Sequence, residues 1–273
     1  MLHMKFDALF TDIDGTILKG DHSMSPAVRD ALNACAADGM TVVLASSRSP
    51  QGIEPIVCEN DLVRGCIAAF GGALLLDEQG EVLAEHGFGR EVACEAADFV
   101  KDSFGSAVTC CVFTARHWFV DSREDPRIVR EEGIVKTCSE EGGARAVGQN
   151  EAVDKLLFIC DPAVTPAVRD ALSQRLPSMH VSTSSDILVE LNAGGITKAM
   201  SIHDLCELRG IDPSRTIAFG DAANDVPMLE AAGLGVAMGN GTAEAWACAG
   251  LVCETNEEDG VARTIGRLRA GEL

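Results

Sequence analysis

Two aspartates spaced two residues apart, Asp12 and Asp14, stand at the end of a short apolar run and are followed at once by Gly15 and Thr16. A carboxylate so placed can attack phosphorus once the charge on the phosphate oxygens is offset, and the acyl phosphate it forms divides one hard displacement into two easier ones. Asp12 is positioned for the attack. Asp14 falls beyond the strand end, where it can protonate the leaving oxygen and afterwards activate water. Ser46 and the backbone amides around Gly15 and Thr16 can donate hydrogen bonds to phosphoryl oxygens. Lys198 can supply positive charge, and Asp12 with Asp221 offers hard oxygen ligands for a magnesium ion that keeps several waters. Each group also has an ordinary reading. An Asp-x-Asp-Gly-Thr loop can be a solvated turn, residues 220–225 an Asx turn and helix cap, and a lone lysine a surface charge. The chemistry requires that they converge.

Convergence depends on the elements that carry them. KFDALFTDID is a buried strand that stops at a loop, Ser25 and Pro26 open a helix closed by Gly39, and TVVLAS is a second buried strand. Strand, helix and strand in that order make a βαβ unit, so the expected fold is an α/β Rossmann-like core with a parallel sheet. CIAAF precedes Gly71 and Gly72, and ALLLDEQGEVLAE reads as a hairpin turning near Gln79 and Gly80. The segment 85–185 changes style, with two successive groups of a helix and paired strands, and reads as an inserted α+β domain. Parallel style then returns, with a helix from Lys198 to Arg209, TIAFGD, VPMLEAAG, LGVAM and a terminal helix. The expected division is therefore a core of 1–84 and 186–273 and an insert of 85–185, with a cleft at their junction. In an open parallel sheet the ligand site lies outside the carboxyl ends of the strands, where Asp12, Asp14, Ser46, Lys198, Asp221, Asn224 and Asp225 would meet.

Composition narrows the partners. The 273 residues carry 42 Asp and Glu against 22 Lys and Arg, a net charge of −20. Nucleic-acid and anionic-membrane binding both draw on clustered Lys and Arg, so neither is expected, and any phosphate site must be built locally. At 47% hydrophobic and 23% charged the chain has a globular composition. The N-terminal residues show no apolar leader, and no stretch approaches the roughly 18 uninterrupted apolar residues of a membrane span. A cytoplasmic location follows as an expectation. The 11 cysteines are odd in number and include no C-x-x-C pair, so reduced thiols are expected rather than disulfides or zinc.

As a set, Asp12-Ile13-Asp14-Gly15-Thr16, Ala45-Ser46-Ser47-Arg48, Gly195-Ile196-Thr197-Lys198 and Gly220-Asp221-Ala222-Ala223-Asn224-Asp225, with Ala237-Met238-Gly239-Asn240 downstream, resembles the haloacid dehalogenase-like phosphatases of the Cof type. The resemblance spans nearly the whole chain. It implies that Asp12 is the nucleophile and Asp14 the acid/base, and that Ser46 and Lys198 bind phosphate; Gly15, Thr16, Ser47, Arg48 and Asn224 are further candidate contacts to phosphate or substrate. It also implies magnesium on Asp12, the Asp14 carbonyl and Asp221. Asp225 becomes an outer or additional acid holding the metal waters and Lys198, and Asn224 orients its loop. The insert becomes a cap. Two departures stand out: Ser46-Ser47-Arg48 replaces the common Thr-Gly-Arg, and Gly71-Gly72-Ala73 replaces the common Asn-Gly-Ala. Serine keeps the hydroxyl, whereas Gly71 removes a side chain.

The leading expectation is a magnesium-dependent phosphatase acting on a small phosphorylated metabolite, a sugar phosphate or a phosphorylated cofactor, as a monomer or a homodimer. Its rivals are a phosphomutase, which returns the phosphoryl group to sugar, and a catalytically silent phospho-ligand-binding protein on the same fold. Arg48 is open between binding substrate and pairing with a core acid. Asn192, where the insert rejoins the core, is a candidate ligand contact.

Overall fold

The computed structural model describes residues 6–273, which divide into two compact units, one of residues up to Ala84 and from Thr197 to Leu273, the other Glu85–Ile196. In chain order the first unit opens with β1 (Ala8–Thr11), α1 (Pro26–Ala37), β2 (Thr41–Ala45), α2 (Pro50–Glu59), β3 (Cys66–Ala69), β4 (Leu74–Leu76) and β5 (Val82–Glu85). The second unit holds α3 (Arg90–Phe104), β6 (Val108–Phe113), β7 (Trp118–Val120), α4 (Pro126–Val135), β8 (Glu140–Glu141), β9 (Lys155–Cys160), α5 (Thr165–Arg175), β10 (Met179–Ser185) and β11 (Leu188–Ala193). The first unit resumes with α6 (Ala199–Arg209), β12 (Thr216–Gly220), α7 (Val226–Ala231), β13 (Leu234–Ala237), α8 (Ala243–Cys248), β14 (Leu251–Val252) and α9 (Gly260–Ala270).

The sheet of the first unit runs β14-β13-β12-β1-β2-β3-β4-β5. β1 lies at its centre and pairs in parallel with β2 on one side and β12 on the other, so segments more than 200 residues apart in sequence meet there. Every residue of β1 is buried, as a strand covered on both faces requires. The period of two then assigns the faces. Ala8 and Phe10 pack with Ile202, Leu205, Met228 and Leu229 of α6 and α7, whereas Leu9 faces an apolar cavity shared with Cys35 of α1 and Ile265 of α9. Full burial of a side chain such as Phe10 stabilises by roughly 1.5–3 kcal/mol. α1 starts where the Ser25 hydroxyl accepts from the Val28 amide at 3.2 Å, with Pro26 in its first turn.

The second unit is a six-stranded sheet in the order β10-β11-β9-β6-β7-β8, antiparallel except for the pair β7 and β8. One face, carrying Val112, Phe158, Val189 and Leu191, closes on Ala93, Ala96 and Val100 of α3 and Val168 and Leu172 of α5. This unit extends to Ile196 rather than 185, because β11 is hydrogen-bonded between β9 and β10. The pattern reading also places no helix at α2, α4 or α8. α2 contains Gly52 and Pro55, α4 buries Ile128 alone, and α8 has only six residues, so none shows a long apolar stripe. Among the described residues no helix is long and apolar enough to cross a membrane.

Candidate active site

All the acids and the lysine of the expected site lie in the first unit. Asp12 follows β1, and its amide donates to the Phe219 carbonyl of β12 at 2.9 Å, which pins the carboxylate beside the end of the neighbouring strand. Asp221 follows β12 directly. Lys198 opens α6 and is 2% exposed, its ammonium donating at 2.5 Å to Oδ1 of Asp12 and at 2.5 Å to Oδ1 of Asp225. The other oxygen of Asp225 accepts from the amides of Asp221 and Ala222, each at 3.0 Å. Asp225 therefore fixes both the lysine and the loop that presents Asp221. Gly220 makes this possible, since a Cβ there would stand 2.5 Å from that of Asp225.

Burial is the largest influence on the Asp12 carboxyl and pushes its pKa up. Lys198 pulls it down, Asp225 and Asp221 push it up again, and the result is about 7. Burial draws the Lys198 ammonium down, but Asp12 and Asp225 outweigh that and leave it raised. Asp221 is raised too, by burial first and then by Asp225, against the opposing effects of Thr16 and Lys198. Oxygens of Asp12, Asp221 and Asp225 lie within 4.8 Å of one another and face a single ammonium. Both oxygens of Asp225 are already engaged, so Asp12 and Asp221 are the pair with capacity for a hard divalent cation. A set of carboxylate oxygens with excess negative charge fits magnesium.

Asp14 points elsewhere. Arg48 grips both its oxygens, Nε to Oδ2 at 2.8 Å and Nη2 to Oδ1 at 2.7 Å, and His22 Nδ1 stands 3.7 Å from Oδ1. Arg48 is therefore ion-paired with a site acid. Between the two aspartates the chain turns tightly, with the amides of Ile17 and Leu18 donating to the Ile13 carbonyl. Gly15, at φ +80°, passes so close to Asp221 that a Cβ would lie 2.5 Å from Oδ2, and the Thr16 hydroxyl donates to Asp221 Oδ1 at 3.3 Å.

Ser46, at the end of β2, is buried, and its hydroxyl accepts from the Arg48 amide at 3.2 Å. Ser47 is half-buried in the same loop. Asn224 is exposed on the turn after Asp221 and joins none of these hydrogen bonds. Asn192 belongs to the second unit, where its amide donates to the Asp154 carbonyl. One support, Asn240, stands in the downstream motif but carries no role in the sequence reading. Asn240 donates to the Gly15 carbonyl at 2.8 Å and accepts from the Asn256 amide, so it ties the Asp14 loop to the distant end of the chain. The Gly239-Asn240-Gly241 run was its only local signal.

The sheet is that of an α/β protein with a parallel core, and its acids gather at the carboxyl ends of the central strands. Residues 9–265 match the haloacid dehalogenase-like hydrolases, and the chain belongs to that family. It is a phosphatase. Among its relatives, the 5-amino-6-(5-phospho-D-ribitylamino)uracil phosphatase YitU of Bacillus subtilis is 28% identical over 93% of this chain and 94% of its own. The HMP-PP phosphatase of Cronobacter sakazakii is 27% identical, with 84% of this chain and 82% of its own covered. A crystal structure of a haloacid dehalogenase-like hydrolase from Bacteroides thetaiotaomicron superposes with a TM-score of 0.85 at 28% identity, covering 96% of this chain and 99% of that one.

Proposed function

We propose that the protein is a magnesium-dependent phosphatase that hydrolyses a small phosphorylated metabolite, a sugar phosphate or a phosphorylated cofactor, through an aspartyl phosphate on Asp12. The observation that carries this reading is the buried Asp12–Lys198–Asp225 arrangement beside Asp221, with Asp14 two residues beyond Asp12. Magnesium held by Asp12 and Asp221 would offset charge on the phosphoryl oxygens. Lys198 and Ser46 would hold those oxygens, and the Asp12 carboxylate attacks phosphorus as the ester oxygen departs. Asp14 delivers a proton to that oxygen, then removes one from the water that hydrolyses the aspartyl phosphate. Since Arg48 engages both Asp14 oxygens, it must yield one of them for the proton to pass. The second unit serves as a cap that selects the leaving group.

The substrates for which the relatives are named supply a starting panel. Phosphate release from sugar phosphates, phosphorylated cofactors and the two relatives' named substrates should be measured with and without magnesium. Turnover of at least one ester that stops on chelation and returns with magnesium is expected; phosphate release unaffected by chelation would overturn the metal assignment, and binding without release would overturn catalysis.

A further inference from the structure

Asn240, in the turn after β13, has no reactive chemistry of its own, yet both ends of its amide are engaged. Nδ2 donates to the Gly15 carbonyl at 2.8 Å, and Oδ1 accepts from the Asn256 amide at 2.9 Å. Asn256 repeats the arrangement one step further along the loop. Its Nδ2 donates to the Leu18 carbonyl at 2.8 Å and its Oδ1 accepts from the Glu257 amide at 3.1 Å. Glu257 Oε1 in turn accepts from the Gly20 amide at 2.8 Å. The segment that leaves Asp14 is thus held at Gly15, Leu18 and Gly20 by side chains from the C-terminal part of the chain. The turn that carries Asn240 is itself seated on the other side of the site: the Thr242 amide donates to the Asp221 carbonyl at 2.7 Å, and a Cβ on Gly241 would stand 2.9 Å from that oxygen.

Gly15 is the joint that needs such a brace. Its close approach to Asp221 and its φ of +80° require glycine, and glycine restricts its own backbone least of all residues. Stiffness next to Asp14 must therefore come from outside the loop. Arg48 holds the Asp14 carboxylate but releases one oxygen in the proposed reaction, whereas the bonds from Asn240 and Asn256 reach the backbone and can persist through it. Asp14 is also bridged to Leu18, so the hold on the Leu18 carbonyl bears on Asp14 directly. Asn240 is exposed, and water can replace either of its partners, so its bonds contribute little to folding stability. What they fix is position, and a displacement of about 1 Å at a reacting group can cost roughly 10²-fold in rate.

We propose that Asn240, with Asn256 behind it, is a positioning residue for the two proton transfers assigned to Asp14. This rests on the phosphatase reading above and deepens it. Asn240 acts through the Asp14 loop alone, and leaves the attack by Asp12 and the binding of magnesium as they are.

The test is a double-mutant cycle in the full-length protein, with Asn240→Ala made alone and together with Asp14→Asn and assayed on p-nitrophenyl phosphate. In Asn240→Ala kcat should fall at least about tenfold, while KM and the half-saturating magnesium concentration change by less than about threefold. Added to Asp14→Asn, the same substitution should lower kcat by less than about twofold, because the group it positions is already gone. An equal loss in both backgrounds would show a general structural effect and overturn the proposal. So would an unchanged kcat in folded Asn240→Ala, or a loss that follows a shifted magnesium requirement. Asn256→Ala, which frees the Leu18 carbonyl, should show the same dependence on Asp14 and gives the result if Asn240→Ala does not fold. Absence of phosphate release by the wild type from every ester would instead overturn the phosphatase reading.

Discussion

In the proposed reaction Asp12 has to be ionised to attack phosphorus, yet burial and two neighbouring acids hold its pKa at about 7 against a single lysine. A folded pKa raised above that of a free carboxylate means that ionisation spreads over the neutral range, and a bound cation favours the ionised form. The acid limb of the kcat/KM profile should therefore lie near pH 7 at low magnesium and move to lower pH as magnesium rises. A limb that stays fixed across magnesium concentrations would dissociate the Asp12 ionisation from the metal. The two aspartates separate kinetically. Asp12→Asn removes the nucleophile and should abolish turnover, lowering it by at least about 10³-fold. Asp14→Asn keeps the nucleophile but lacks the base for water, so rapid mixing with an ester of a good leaving group should show a burst approaching one per site, then a slow phase. A burst in the Asp12 variant would rule out the assignment.

At the scale of elements, the start of β9 holds an unusual acid. Asp154 is fully buried and neither carboxylate oxygen has a hydrogen-bond partner, while burial first, and then Glu85 and Glu151, raise its pKa to about 8. In the unfolded chain it releases its proton near pH 4, so between about 4 and 8 the folded form binds the extra proton and stability falls as pH rises. Asp154→Asn should flatten that slope and stabilise the protein at pH 8 by on the order of a few kcal/mol, read from urea unfolding at several pH values. An equal slope in the variant would place the proton elsewhere. The same element shows what sequence reading reaches. Asp12, Lys198, Asp221 and Asp225 were legible because each sits at a strand or helix end within a short motif. The Arg48 grip on Asp14 and the clamp from Asn240 to Gly15 join loops 34 and 225 residues apart, and no local pattern encodes them. The second unit ends at Ile196 rather than 185: ILVELN reads as the last strand of the insert's second group, and its pairing with β9 and β10 carries the unit past the boundary drawn before it.

For the whole molecule, the proposed reading assigns the two units separate tasks. Asp12, Asp14, Ser46, Lys198, Asp221 and Asp225 all belong to the first, which has its own sheet and core. Replacing residues 86–196 by a short linker should leave slow hydrolysis of a small activated ester such as p-nitrophenyl phosphate, with selectivity among metabolites reduced by about tenfold or more. A folded first unit that binds magnesium but is inert toward that ester would show that the second unit contributes directly to the chemistry.

The central place of β1 also has a consequence for synthesis. The strand leaves the ribosome about 200 residues before its partner β12, which begins only at Thr216, and Lys198 comes late as well. At 5–20 residues per second, β1 waits roughly 10–40 s with one edge unpaired and with Asp12 lacking its counter-charge. During that interval the nascent chain exposes the unpaired edge of a largely apolar strand, a site where chaperones would bind and where identical chains on one polysome could cross-pair. Chains released before Lys198 is translated would carry the nucleophile and no means of using it, so premature termination yields an inert fragment rather than an unregulated phosphatase.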